Sequence, residues 1–427
     1  MRRPWPRRLR ALVLVLIAAA SVLLLVLAWR ISTGGLARAL DRDIRARATA
    51  HFTRPPHVAA PLPGTFGALA AGAWDALSAS QAASSDVELC RAVRDGEQAV
   101  NALSVTCQRE ADASAKALAA LLLATHAAEA GPPAGLGTLD APAPSGRSRS
   151  WSTLTYAGKL AALRLRQQLG EGDAGGALDT CVDLEALARD ASWGAGLAGR
   201  IPGAAAGEVA FRPCAAAIDA APVDAKRRAA TQLERVEAGT ADLGTVLAEY
   251  ALGVRAQAFA PWLPDAGNLP GRIPEWARQN AIGEPFDAKR ALLFGDAWHR
   301  IDERLGQVVE AARLPVEARV QRLDALSEGE YSGLNPFVRY ALPQLGRVAR
   351  TDARARAQLR LLRRALATDL FRVEKGRWPT ERELPAGLGS TGEAPLRIEV
   401  TGETATLVDP SVPRGELAVT VHADASR

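Results

Sequence analysis

Ala11–Trp29 reads ALVLVLIAAASVLLLVLAW, nineteen residues without a charge. At ~1.5 Å rise per residue such a helix is about 28 Å long, close to the ~30 Å of a bilayer's hydrocarbon core. Trp5 and Trp29 stand near its ends, where amphipathic rings favour a membrane interface. Arg2, Arg3, Arg7, Arg8 and Arg10 precede it with no acidic residue among them. The stretch therefore predicts a cytoplasmic basic tail over 1–10, a single transmembrane anchor over 11–29, and an exported remainder. A cleaved signal peptide is the competing reading, with Val26-Leu27-Ala28 as its cleavage site. The apolar run exceeds the ~7–15 residues of an ordinary signal core, which favours the uncleaved anchor.

Composition narrows the field further. The net charge is +5, and without the five Arg of the first ten residues basic and acidic side chains are equal in number. The excess charge is thus a feature of the N-terminus, and no nucleic-acid partner is implied. Five Lys stand against forty-seven Arg, a bias we read as coding background. Cys90, Cys107, Cys181 and Cys214 all follow the apolar run. An even count on the exported side predicts two disulfides, with three connectivities open and nearest-neighbour pairing the simplest. Cys181 shares a helical stripe with Leu178, Leu184 and Ala188, and Cys214 with Ala210, Ala217 and Ile218, so both belong on buried faces of adjacent helices.

The fold class expected from periodicity is mainly α: the anchor, an irregular bundle or solenoid-like helical ectodomain, and a small C-terminal α+β unit. Residues 30–65 read as a juxtamembrane helix over Gly35–Phe52 and a stiff linker carrying Pro55, Pro56, Pro61 and Pro63. A helical segment spans 66–130, and Ala115–Ala128, apolar nearly all round, predicts burial between other helices. Residues 131–150, with four Pro and four Gly, form a flexible loop. A helical domain follows over 151–345. Within it, 260–285 is Pro-rich and holds Trp262 and Trp276, which either plug the core or grip a partner protein. The last unit, 349–427, has a long helix striped by Leu359, Leu362, Leu366, Leu370 and Val373 opposite an Arg-rich face. Gly376 and Pro379 end it. Three strand-like runs, Leu396–Val400, Thr404–Val408 and Leu417–His422, predict an antiparallel meander resting on that helix.

Two stretches resemble known families. The helix, Gly170–Asp173 turn and helix over about 151–190 resembles a tetratricopeptide-like hairpin, without a second copy at the ~34-residue period of a repeat array. Phe371, Gly376, Arg377, Trp378 and Pro379 resemble the helix end of type II secretion pseudopilin heads, where a Gly-Arg-aromatic-Pro corner precedes a small sheet. That resemblance covers about 350–427 and implies a helix-plus-sheet module with Trp378 as a core plug. The chain lacks the family's short leader, peptidase site and early Glu, so polymerisation is not implied.

No motif concentrates chemistry. Gly387–Gly392 matches G-x-G-x-x-G but lies between a Pro-rich turn and a strand, the wrong context for a dinucleotide. His299 and Glu303 are four apart without a second His on that face. His51 and His57 straddle the Pro-rich linker and read as solvated; His126 and His422 are scattered. Neither a G-x-S-x-G elbow nor a Ser three residues before a Lys occurs. No catalytic residue, cofactor or metal is expected. The sequence reads as a single-pass inner-membrane envelope protein, a non-enzymatic scaffold or adaptor for another envelope protein. The alternatives are an accessory component of a secretion or pilus-like machine, or an exported hydrolase with dispersed catalytic groups.

Overall fold

The computed structural model describes residues 8, 11–26, 42, 46, 52–83, 90–95, 97–98, 100, 104–139, 149–259, 303–328, 344–380, 383, 397–409 and 417–423. Residues 11–26 lie in the first helix, α1, with most of their apolar side chains exposed. Among the described residues no helix is long and apolar enough to cross a membrane. The single-pass inner-membrane anchor expected over 11–29, and the localisation built on it, are overturned. The helix expected over 35–52 lies almost wholly outside the described residues.

The remainder is mainly helical. In chain order it comprises β1 (Leu62–Thr65), α2 (Phe66–Ala83), α3 (Arg91–Arg94), α4 (Val105–Ala124), β2 (Ala127–Glu129), α5 (Ser152–Gly170), α6 (Ala174–Asp190), α7 (Gly196–Ala220), α8 (Val223–Ala238) and α9 (Leu243–Phe259). Then come α10 (residues 303–311), α11 (Val316–Glu328), α12 (Leu345–Lys375), and strands β3 (Arg397–Thr401), β4 (Thr404–Asp409) and β5 (Leu417–His422). Local chemistry sets several boundaries. The Ser104 hydroxyl accepts from the Cys107 amide at the start of α4, and the Asp173 carboxylate from the Gly176 amide at the start of α6. Gly376 ends α12 at φ 69°, in the left-handed region that a side chain would strain.

One core joins α2, α4, α5, α6, α7, α8, the middle of α12 and the inner face of the β3–β5 sheet. Helices α5 and α7 pack closely. A Cβ on Gly158 would stand 2.6 Å from Ala206, so only glycine lets these helices approach so closely. A second core gathers α9, α10, α11 and the first turns of α12. Helix α4 presents one face inward through Leu118, Leu121 and Leu122 while Leu123 is exposed, so its apolar run is buried on one side only.

The sheet is an antiparallel meander, β3–β4–β5, with Ile398 opposite Leu407 and Leu407 opposite Val419. Leu417, Val419 and Val421 alternate inward along β5 and meet Leu359, Leu362 and Leu366 in the shared core. The rest of α12 departs from expectation. Six consecutive residues, Ala357–Leu362, are buried, and much of the Arg-rich face lies against protein instead of solvent. Arg360 pairs with Asp409 of β4, Arg363 with Glu237 of α8, and Arg350 with Asp324 of α11. The leucine stripe fades at Leu370, and Val373 is exposed.

Three side chains inside this bundle yield tests. Leu366 is fully buried, whereas Arg364 is half-buried with an Nε that has no partner among the described residues. Leu366→Ala should lower the unfolding free energy of the full chain by ~2–5 kcal/mol, and Arg364→Ala by less than ~1 kcal/mol, in urea titrations. Glu185 of α6 faces Gly207 of α7, and burial pushes its carboxyl up to about 7, against the smaller opposing pull of Arg200. Because the folded form holds this proton more tightly than the unfolded chain, stability falls as pH rises between about 4.5 and 7 and then levels. The loss is on the order of 3 kcal/mol, and Glu185→Gln should flatten that part of the stability–pH curve.

Candidate functional site

Residues 52–57 hold the surprise of the fold. The Pro-rich segment is extended, yet it runs into the helical body instead of bridging two units. The Ala130 amide donates to the Phe52 carbonyl at 3.0 Å and the Leu62 amide to the His126 carbonyl at 2.9 Å. Farther along, β1 pairs in parallel with β2. Arg54 is buried, with Nε and Nη2 each donating to the Asp190 carboxylate at 2.7 Å and Nη1 to the Ala127 carbonyl at 2.8 Å. Arg189 Nε adds a third donor to Asp190 at 2.8 Å. Two cations thus share one buried carboxylate, and burial holds the Arg189 guanidinium below its usual range.

Beside this triad, His57 is fully buried, which corrects its reading as a solvated linker residue. Its Nε2 lies 3.3 Å from Asp183 Oδ1, and the His126 Nε2 lies 2.9 Å from the same oxygen. The two imidazoles meet edge to face with centroids 5.1 Å apart. Asp183 and Asp190 are seven residues apart on α6, two helical turns, so both face the threaded segment. His126 sits in the turn between α4 and β2. Three chain regions therefore converge on one carboxylate oxygen.

The environment sorts the protons. Burial, helped by the Arg189 charge, lowers the affinity of His57 below the ordinary imidazole value despite its bond to Asp183. The hydrogen bond to Asp183 raises His126 in spite of partial burial. Burial alone would raise Asp183, but the two histidines outweigh it and hold the carboxyl below its usual range. His57 Nδ1 has no partner among the described residues. The arrangement, with His126 and Asp183 about a quarter exposed, can share a proton or offer two imidazole nitrogens and a carboxylate to a cation.

The residues singled out by sequence fall elsewhere. Cys90 and Cys107 are paired with Cα atoms 5.7 Å apart, joining α3 to α4, and Cys181 and Cys214 with Cα atoms 5.5 Å apart, joining α6 to α7. Trp262 and Trp276 lie outside the described residues, as do His51 and His299. His422 pairs with Asp219 at the end of α7, 2.9 Å away. The chain matches no protein-family model, no curated protein and no solved structure, so function is argued from geometry alone.

Asp190→Ala would leave Arg54 and Arg189 buried around a missing anion. The expected cost is ~3–5 kcal/mol in unfolding free energy, against less than ~1 kcal/mol for Glu208→Ala, whose partner Arg354 is on the surface. Equal effects in chemical denaturation would show that the triad does not hold the segment in place.

Proposed function

We propose that the protein is a non-enzymatic helical scaffold or adaptor that grips an apolar segment of another protein. One observation carries this reading, an open cleft of about 410 Å³ bounded by Phe52, Ala68, Ala71, Pro132, Leu139 and Leu252. At its edge Glu249 of α9 is 4% exposed and accepts the Gly194 amide at 3.0 Å. Thr65 and Thr138 also line this cleft, and clefts of this size with largely apolar walls and a few fixed polar groups suit an inserted side chain. The walls come from the threaded segment, α2, the 132–139 loop and α9, all anchored to the cores described above. Such a platform offers affinity through shape and burial, the basis of partner recognition.

A second reading, an accessory component of a secretion or pilus-like machine, is favoured by the corner after α12. Gly376 turns the chain, Trp378 packs on the core with Arg372 over its ring, and the meander follows. That is the order which the pseudopilin resemblance implies for this module.

A photo-crosslinking residue placed at Ala68 in cells should give one defined protein adduct, and Ala71→Trp, which fills the cleft, should remove it. The same probe at Val105, exposed on α4, serves as the control. Identical adducts from both positions, or an adduct indifferent to Ala71→Trp, would rule the adaptor reading out.

A further inference from the structure

His57, His126 and Asp183 each offer one ligand atom, and these three atoms lie within 4.8 Å of one another. The two nitrogen-to-oxygen separations are 3.3 and 2.9 Å. Donors bound at about 2.0–2.2 Å around one tetrahedral or octahedral ion stand roughly 3–3.5 Å apart, so the set is nearly at coordination spacing. We propose that His57, His126 and Asp183 form a binding site for a divalent first-row transition metal, with Zn²⁺ the best fit.

The chemistry of the donors selects the ion. Two neutral imidazoles and one carboxylate suit zinc and its neighbours, whereas Ca²⁺ and Mg²⁺ seek six or more oxygens or retain their water. Three protein donors leave a fourth position, and the site is closed on the His57 side but partly open beside His126 and Asp183. A solvent ligand would therefore enter from that side. Asp179, one turn before Asp183 on α6, adds a negative field that both Asp183 and His126 sense. Arg189 opposes it, since its charge acts on His57. The second, independent observation is His57 itself. A fully buried ring whose Nδ1 lacks a partner among the described residues, and whose Nε2 makes only a 3.3 Å contact, is poorly compensated for leaving water. A metal bond replaces the long Nε2 contact with a strong one, although it does not reach Nδ1.

The three donors come from the threaded segment, the α4–β2 turn and α6. A bound ion would staple the segment to the body at a point next to the Arg54–Asp190 pair. It binds the folded chain only, because the unfolded chain does not bring these donors together, and so raises the thermal midpoint.

The test uses the full chain without a histidine tag, stripped with chelator and dialysed against Zn²⁺ or Co²⁺. Elemental analysis should return one metal per chain, Co²⁺ should show the visible bands of a low-coordinate site, and the midpoint should rise by several degrees. His126→Ala and Asp183→Asn, both partly exposed positions, should each weaken uptake at least tenfold while the metal-free proteins keep their helical circular dichroism. His422→Ala, at the exposed pair with Asp219, should leave uptake unchanged. Absence of stoichiometric metal in the parent chain would leave a hydrogen-bonded His–Asp–His cluster and overturn the site. Uptake retained in both site variants, or lost equally in His422→Ala, would place the metal elsewhere and overturn it as well.

Discussion

The carboxylate of Asp190 is the constraint on which the rest depends. It lies at the last turn of α6, fully buried, and receives three charged hydrogen bonds from Arg54 and Arg189. Arg54 is 136 residues away in sequence, so this contact fixes where the N-terminal segment enters the body. Once Arg54 is placed, Pro55 and Pro56 leave little freedom, and His57 is delivered to Asp183. The same segment then continues into β1 and the first turn of α2. The cleft wall at Phe52 and the histidine cluster therefore inherit their positions from one ion pair. Breaking that pair would disturb both, although neither contains it.

The principle recurs across the molecule. Arg200 of α7 donates two bonds to Asp352 of α12, Lys226 of α8 meets Asp369 of α12, and Arg360 of α12 meets Asp409 of β4. All these side chains are nearly inaccessible to water. Buried pairs of this kind contribute little net stability, because desolvation offsets most of the attraction. Their effect is on register. Alanine-rich helices such as α7 present small, nearly interchangeable apolar surfaces that could slide by a turn at modest cost. A slide of ~5.4 Å would leave Arg200 and Asp352 both buried and unpaired, a far larger penalty. We read the ion pairs as the devices that select one helix alignment among several with similar apolar burial.

How much of this was visible in the residues varies with the range of the signal. The meander was legible, because Leu417, Val419 and Val421 alternate locally and Gly402 marks the turn between β3 and β4. The Cys181–Cys214 juxtaposition was legible too, since each cysteine sits on an apolar stripe of its own helix. The Arg-rich face of α12 misled, because arginine in a helix reads as solvated unless its distant acids are known. Asp409 and Glu237 are far away in sequence, and nothing local announces them. The His–Asp–His cluster was hidden for the same reason. Asp179, Asp183 and Asp190 do fall on one face of α6, a faint sign that this face meets something polar. The apolar run at 11–29 misled in a different way, its composition suggesting a membrane span, whereas no helix among the described residues is long and apolar enough to be one.

The arginine bias takes on a different meaning in this light. Read from composition it is background, and at most positions that stands. Yet at Arg54 and Arg200 the guanidinium makes two bonds to one carboxylate, and at Arg54 it also reaches backbone carbonyls of the α4–β2 turn. A lysine ammonium has the charge but not the planar fork, so it could not engage Asp190 and the carbonyls of Thr125 and Ala127 in one fixed geometry. Lys226 shows the contrast. Its single Nζ meets Asp369 and the Asp219 carbonyl, and Asp369 needs Arg372 besides to complete its shell. The threaded segment demands the fork, because one side chain must satisfy α6 and the turn beyond α4 together. Whatever drove the enrichment in arginine, the entry of the segment into the bundle is built on a property that only arginine supplies.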